Sequence, residues 1–186
     1  PFGFSVITKN EIYAAPNRYF AHLSLFLYFR HVPQFFQYFT DPIDSVYVAA
    51  AVGKLLIKLG LTFLIVAFAV GHVQVRRLEF LVGTFLVTPL FQFEGYRSQM
   101  AVIDHSISYT FFYALSLLWV FLFFLPFFWS YFHNKPFKLD WKKSLLMFGL
   151  TLVVIFNGAL NSPVVMLVCS LGLFLQFISG WKRSSA

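Results

Sequence analysis

Charge is scarce in this chain. Lys, Arg, Asp and Glu supply 11% of its 186 residues, against about 25% in an ordinary soluble domain. With 59% hydrophobic residues and a mean hydropathy of +0.75, too little polar surface remains to coat a water-facing exterior, and a soluble domain is excluded. Cysteine is nearly absent. The single Cys169 lies in an apolar run, which rules out an intrachain disulfide and reads as a core-packing or lipid-facing thiol. Motifs that announce chemistry are missing as well: there is no phosphate-cradling glycine loop, no cysteine–histidine metal spacing and no nucleophile elbow. No cofactor and no metal is therefore expected. The opening "PFGFSV" has neither an initiator methionine nor the basic-then-apolar build of a signal peptide. A piece of a longer or processed protein is expected, with upstream helices of the same chain as neighbours.

Acidic residues are fewer than basic ones, 7 against 14, for a net charge of +7. That balance invites a nucleic-acid partner, but a nucleic-acid footprint is contiguous. Here the basic residues form short clusters between oily runs: Arg76-Arg77, Lys135 to Lys143, and Lys182-Arg183. Such clusters follow the positive-inside rule for cytoplasmic loops, and no nucleic acid is expected. The five histidines do not favour haem either, because His72 and His133 fall at the basic ends of oily runs and His22, His31 and His105 in the opposite segments.

What is abundant is apolar. Phenylalanine alone occurs 27 times, and the lipid bilayer is the first partner. A spanning helix needs about 20 mostly apolar residues to cross a ~30 Å core. Runs near 45–71, 80–93, 107–132, 144–160 and 163–181 qualify to differing degrees. The second is short and carries Pro89, which removes a backbone donor and bends the helix near its end. "HVQVRR" follows the first run, "HNKPFKLDWKK" the third and "WKRSSA" the last. If the spans alternate, all three fall on one side. The other side receives "FEGYRSQMAVIDHS" and the hairpin turn "NGALNSP", in which Asn161 is expected to cap the last helix.

The expected fold is all-α: a polytopic integral membrane bundle of about five transmembrane helices over 45–186. Basic loops 72–78 and 133–143 and the C-terminus are expected to be cytoplasmic, at the plasma (inner) membrane. Residues 1–44 form an outer-side segment whose aromatic stretch "NRYFAHLSLFLYFRH" is expected as an interfacial helix. The competing layout is a sixth span from Ile12 to Phe29, carrying Arg18 and His22.

Within the first run, "GKLLIKLG" places Lys54 and Lys58 four residues apart, on one face of a helix. Leu59 to Gly71 covers 13 residues, about 20 Å of helix, which is too short to cross alone. Lys58 is thus expected inside the span. A charge near the bilayer centre costs about 2.5–3.5 kcal/mol on insertion scales and usually faces protein or a watery cavity. Lys54, nearer the edge, can snorkel to the headgroups. Candidate partners on the same side are Asp41 and Asp44 in "TDPID", and Glu94, Arg97, Asp104 and His105 in "EGYRSQMAVIDH". Asp44 is expected to N-cap a helix from Ser45, and Asp104 one from near Ile107. Asp41 has no such duty and is the candidate catalytic base.

This arrangement is similar, in layout and without any quotable motif, to the polytopic glycosyltransferases with an acidic first outer loop. The similarity implies a membrane-embedded glycosyltransferase-like enzyme using a lipid-linked donor at an outer-side site. Asp41 would deprotonate the acceptor hydroxyl while Lys54, Lys58 and Arg97 hold the donor phosphate; Asp44, Glu94, Asp104 and His105 complete the substrate-binding set. Two other expectations stand beside it: a structural or assembly membrane protein without catalysis, and a transporter or channel-like subunit with Lys58 in an aqueous cavity.

Overall fold

The structure, a computed structural model, describes residues 16–91, 106–133 and 140–184. Among these residues it is all-helical. After a 3-10 turn at Pro16–Arg18 come α1 (Tyr19–Phe36), α2 (Pro42–Val70), α3 (Leu78–Val87, tightening into a 3-10 turn at Thr88–Phe91), α4 (Ile107–Phe132), α5 (Trp141–Ile155) and α6 (Asn161–Ser184).

Local chemistry sets several of these boundaries. Helix α2 begins at Pro42, not Ser45, because proline's fixed φ suits the first helical position. Asp41, extended at φ −63° and ψ 155°, therefore holds the N-cap position expected for Asp44, although its carboxylate makes no capping hydrogen bond. Asp44 falls in the first turn, where a negative charge favours the helix dipole. The same helix stops at Gly71, whose φ of 75° is left-handed and whose N–H donates to the Ala67 carbonyl. A side chain at position 71 would also strike the ring of Phe132. Helix α5 starts at Trp141 instead of Ser144 because the Asp140 carboxylate accepts from the Lys143 N–H at 2.8 Å. Asn161 does not cap its own helix. Its Nδ2 donates to the Val154 carbonyl at 2.9 Å, closing the C-terminus of α5.

Packing is organised around α2. Helix α1 folds back along its first half: the Tyr28 hydroxyl donates to the Ala49 carbonyl at 2.9 Å, and Gly53 leaves room for the tyrosine ring. The aromatic segment expected at the interface is thus one arm of a helical hairpin. Helix α4 runs parallel to α2, with Leu118 against Gly60, Phe68 stacked on Phe128 at 4.0 Å, and Phe132 against Gly71. Helix α3 closes on the second half of α2 through Gly83 against Val66 and a cluster of Val66, Ala67 and Phe80. A second cluster joins Ile57, Leu61, Phe91, Phe111 and Ala114.

The hairpin of α5 and α6 is fixed to α4 by Asn157 on Ser116, and the Phe20 N–H of α1 donates to the Phe156 carbonyl at 3.0 Å. Hence Phe91 and the 156–160 turn meet α2 and α4 at the level of Ile57 to Leu61, while Gly71 and Phe132 mark the opposite, basic end.

Two helices, Pro42–Val70 and Ile107–Phe132, are long and apolar enough to cross a membrane. Only 39% and 28% of their most apolar stretches are buried inside the molecule, whereas the core helix of a soluble protein is mostly buried. Leu78–Phe91 and Asn161–Leu175 are shorter apolar helices. Much of the remaining exterior is apolar, including Phe85, Phe148, Leu167 and Phe174.

Candidate functional site

The residues singled out in the sequence lie apart. Asp41 and Asp44 are exposed at the start of α2, and Lys54 and Lys58 are half-buried further along it. Asp41 precedes Lys54 by 13 positions and Lys58 by 17, about 20 and 25 Å along the helix axis. One phosphate group cannot bridge that gap. Lys58 adjoins Ile57, in the cluster where α3 ends at Phe91, so it sits at the rim of the shorter helices. It has no ion-pair partner among the described residues. Glu94, Arg97, Asp104 and His105 lie outside the described residues.

Two clefts lie elsewhere, beside α1. A groove of about 800 Å³ runs between α1 and the start of α4. Leu25, Phe26, Phe29 and Ile107 form its apolar walls, with His22 and Arg30 also lining it. The Arg30 guanidinium lies 5.8 Å from the Phe26 ring centroid, a contact worth about 0.5–1 kcal/mol at an exposed site. That is too little to satisfy its charge. Neither Arg18 nor Arg30 has a carboxylate partner among the described residues, so both keep donors for an anion.

A second cleft, about 260 Å³, lies between α4 and the turn joining α5 to α6. Arg18, Ser116, Gly158 and Asn161 line one part of it, and Leu117, Val120 and Val164 the rest. Phe112 separates the two spaces. Its ring has His22 edge-on at 4.7 Å and the Arg18 guanidinium at 5.9 Å. Phe112 belongs to a π-helical turn, Thr110–Ala114, in the first part of α4. One extra residue per turn shifts the facing of every side chain above it relative to those below.

Beside the second cleft is a buried polar knot. Asn157 is fully buried, and its Nδ2 donates to Ser116 Oγ at 2.6 Å. Ser116 Oγ is also 2.7 Å from the Phe112 carbonyl and 2.9 Å from the Asn157 carbonyl. A hydroxyl has one proton, so only one of those carbonyls receives it at a time. Asn157 Oδ1 is buried without a partner among the described residues, at a cost of about 1–3 kcal/mol. Gly158 permits this closeness, since a Cβ there would lie 3.0 Å from Ser116 Oγ.

Among the described residues no group of His, Cys, Asp and Glu comes together as a metal site. Arg18, His22 and Arg30 were not among the expected site residues. The signal for them is the four-residue spacing of Arg18, His22, Phe26 and Arg30. On a helix that row winds slowly around the surface, which is how Arg18 and Arg30 reach different clefts. Comparison with protein-family models, curated proteins and solved structures returned no match.

Proposed function

We propose that this chain is a multi-pass membrane protein of about five crossings, α2 to α6, that handles a lipid-linked anionic substrate at the end opposite its basic loops. Support for the crossings comes from the apolar exterior and from the grouping of helix ends. Gly71 and Phe132 meet at one end, Phe91 and the Asn157 turn at the other level. Helices α3 and α5 are shorter than a ~30 Å core, a mismatch that bilayers meet by local thinning.

The observation that carries the functional reading is the groove beneath α1, where an arginine without a carboxylate partner among the described residues and a histidine stand over apolar walls of Leu25, Phe26 and Phe29. A phosphate on a lipid stem matches that pairing of cation and oil. Among the described cations, the backbone of Arg30 comes nearest the candidate base along the helix axis. Tyr28 is level with Ala49, so Arg30 comes level with position 47, about 9 Å along the axis from Asp41. The finer reading is glycosyl transfer from a lipid-linked donor, with Asp41 as base, Arg30 at the donor phosphate, and His22, Lys54 and Lys58 deeper along the lipid path.

Transfer from a lipid-linked sugar donor by the intact parent protein in proteoliposomes tests this. Asp41→Asn is expected to lower kcat by about 10²–10⁴, and Arg30→Gln to raise KM for the donor about tenfold, the 1.4 kcal/mol of one charge-assisted contact. Unchanged transfer in Asp41→Asn, Arg30→Gln and Lys58→Met alike would remove the assignment.

A further inference from the structure

The cleft between α4 and the α5–α6 turn holds features that glycosyl transfer does not use. Arg18 is half-buried beside it with no carboxylate partner among the described residues. The first turn of α6 lies on the same wall through Gly158 and Asn161. That turn has little to offer an anion, because the Asn161 N–H donates to the Gly158 carbonyl, the Val164 N–H to the Leu160 carbonyl, and Pro163 has no N–H. The Arg18 guanidinium, at the mouth of a small cavity, is therefore the charge that an anion there would meet.

The rest of the cavity excludes a purely aqueous anion. Val120 lies one helical turn beyond Ser116 on α4, and Val164 one turn into α6. The lining therefore changes from Arg18, Ser116 and Asn161 to Leu117, Val120 and Val164 along the direction in which both helices run toward the basic end. At about 260 Å³ the space is too small for a whole lipid and suits a phosphate with the first carbons of a chain.

We propose that this cleft binds the headgroup phosphate of an anionic membrane phospholipid, with Arg18 as its counter-ion and the acyl stem along Val120 and Val164. The site stands apart from the groove of His22 and Arg30, because the Phe112 ring divides them. The lipid is a resident that joins α1, α4 and the α5–α6 hairpin, and it is not consumed.

Native mass spectrometry of the full chain, released from micelles doped with phosphatidylglycerol or phosphatidylcholine, reads this directly. Retention of at least one phosphatidylglycerol is expected, with phosphatidylcholine displaced. Arg18→Gln should weaken retention about tenfold, and Arg18→Lys should restore most of it, since a single charge-assisted contact is at stake. Val120→Phe, which fills the apolar part, should weaken it with Arg18 intact. The comparison is made in an Arg30→Gln background, so that lipid phosphate held in the first groove is not counted and loss of transfer and loss of this lipid stay separable. Retention in Arg18→Gln equal to that of the Arg30→Gln parent would overturn the proposal. So would complete displacement by inorganic phosphate at the same phosphate concentration, which would mark a free-anion site.

Discussion

Ser116 and Asn157 are small polar residues in an otherwise oily chain, and their energetic weight comes from burial. In a medium without water, a donor that loses its partner keeps the full desolvation cost. Ser116→Ala would leave Asn157 Nδ2 without its 2.6 Å acceptor, and a loss of about 1–3 kcal/mol is expected, read as a lower unfolding midpoint in detergent. Asn157→Ala in the Ser116→Ala background should cost little more, because the interaction is already gone. Nothing in "NGALNSP" reveals this knot. The turn itself is legible from Asn, Gly and Pro, but the partner of Asn157 lies 41 positions earlier in the chain. The lysines show the converse. Lys54 and Lys58 stand out in the sequence because they interrupt a long apolar run, whereas Arg18 and Arg30 flank an aromatic segment whose packing makes their clefts.

Helix limits follow local rules closely. Ile107–Phe132 has the bounds its apolar run indicates. The 3-10 tightening at Thr88–Phe91 falls where Pro89 interrupts the ladder. Misjudged starts come from capping chemistry that extends a helix past its oily part, as Pro42 does for α2 and Asp140 for α5. The π-turn at Thr110–Ala114 has no sequence signature. It faces α1, whose Tyr28 and His22 pack on Phe111 and Phe112. The α1–α2 pair rests on close approach at Gly53, where a Cβ would lie 3.1 Å from the Tyr28 hydroxyl oxygen. Tyr28→Phe should cost about 0.5–1.5 kcal/mol through the lost bond to Ala49. Gly53→Leu should cost about 1–3 kcal/mol by forcing the ring away. Limited proteolysis in detergent checks both, with α1 released faster in Gly53→Leu than in Tyr28→Phe.

Taken whole, the molecule has two layers. Toward the basic end, the second halves of α2 and α4 are joined by α3, α5 and α6; beyond Ile57 and Ser116, α1 pairs with the first half of α2 and the start of α4. That step was not legible in the hydropathy of single segments, since α2 is apolar through both layers. In the proposed bilayer placement, Lys58 lies where α3 and the α5–α6 hairpin stop, at the edge of the apolar layer. The central claim is that these layers are stacked across a bilayer, with the hairpin tip and the α5–α6 turn on the same side. Single cysteines in a Cys169→Ser background test it most directly, at Tyr38→Cys, Ala159→Cys and Gln74→Cys, all exposed positions. Intact vesicles are treated with a membrane-impermeant maleimide before and after permeabilisation. Labelling at 38 and 159 from one side, with 74 reacting only from the other, is the expected result. Labelling of 38 and 159 from opposite sides, or of 74 together with both, would contradict it.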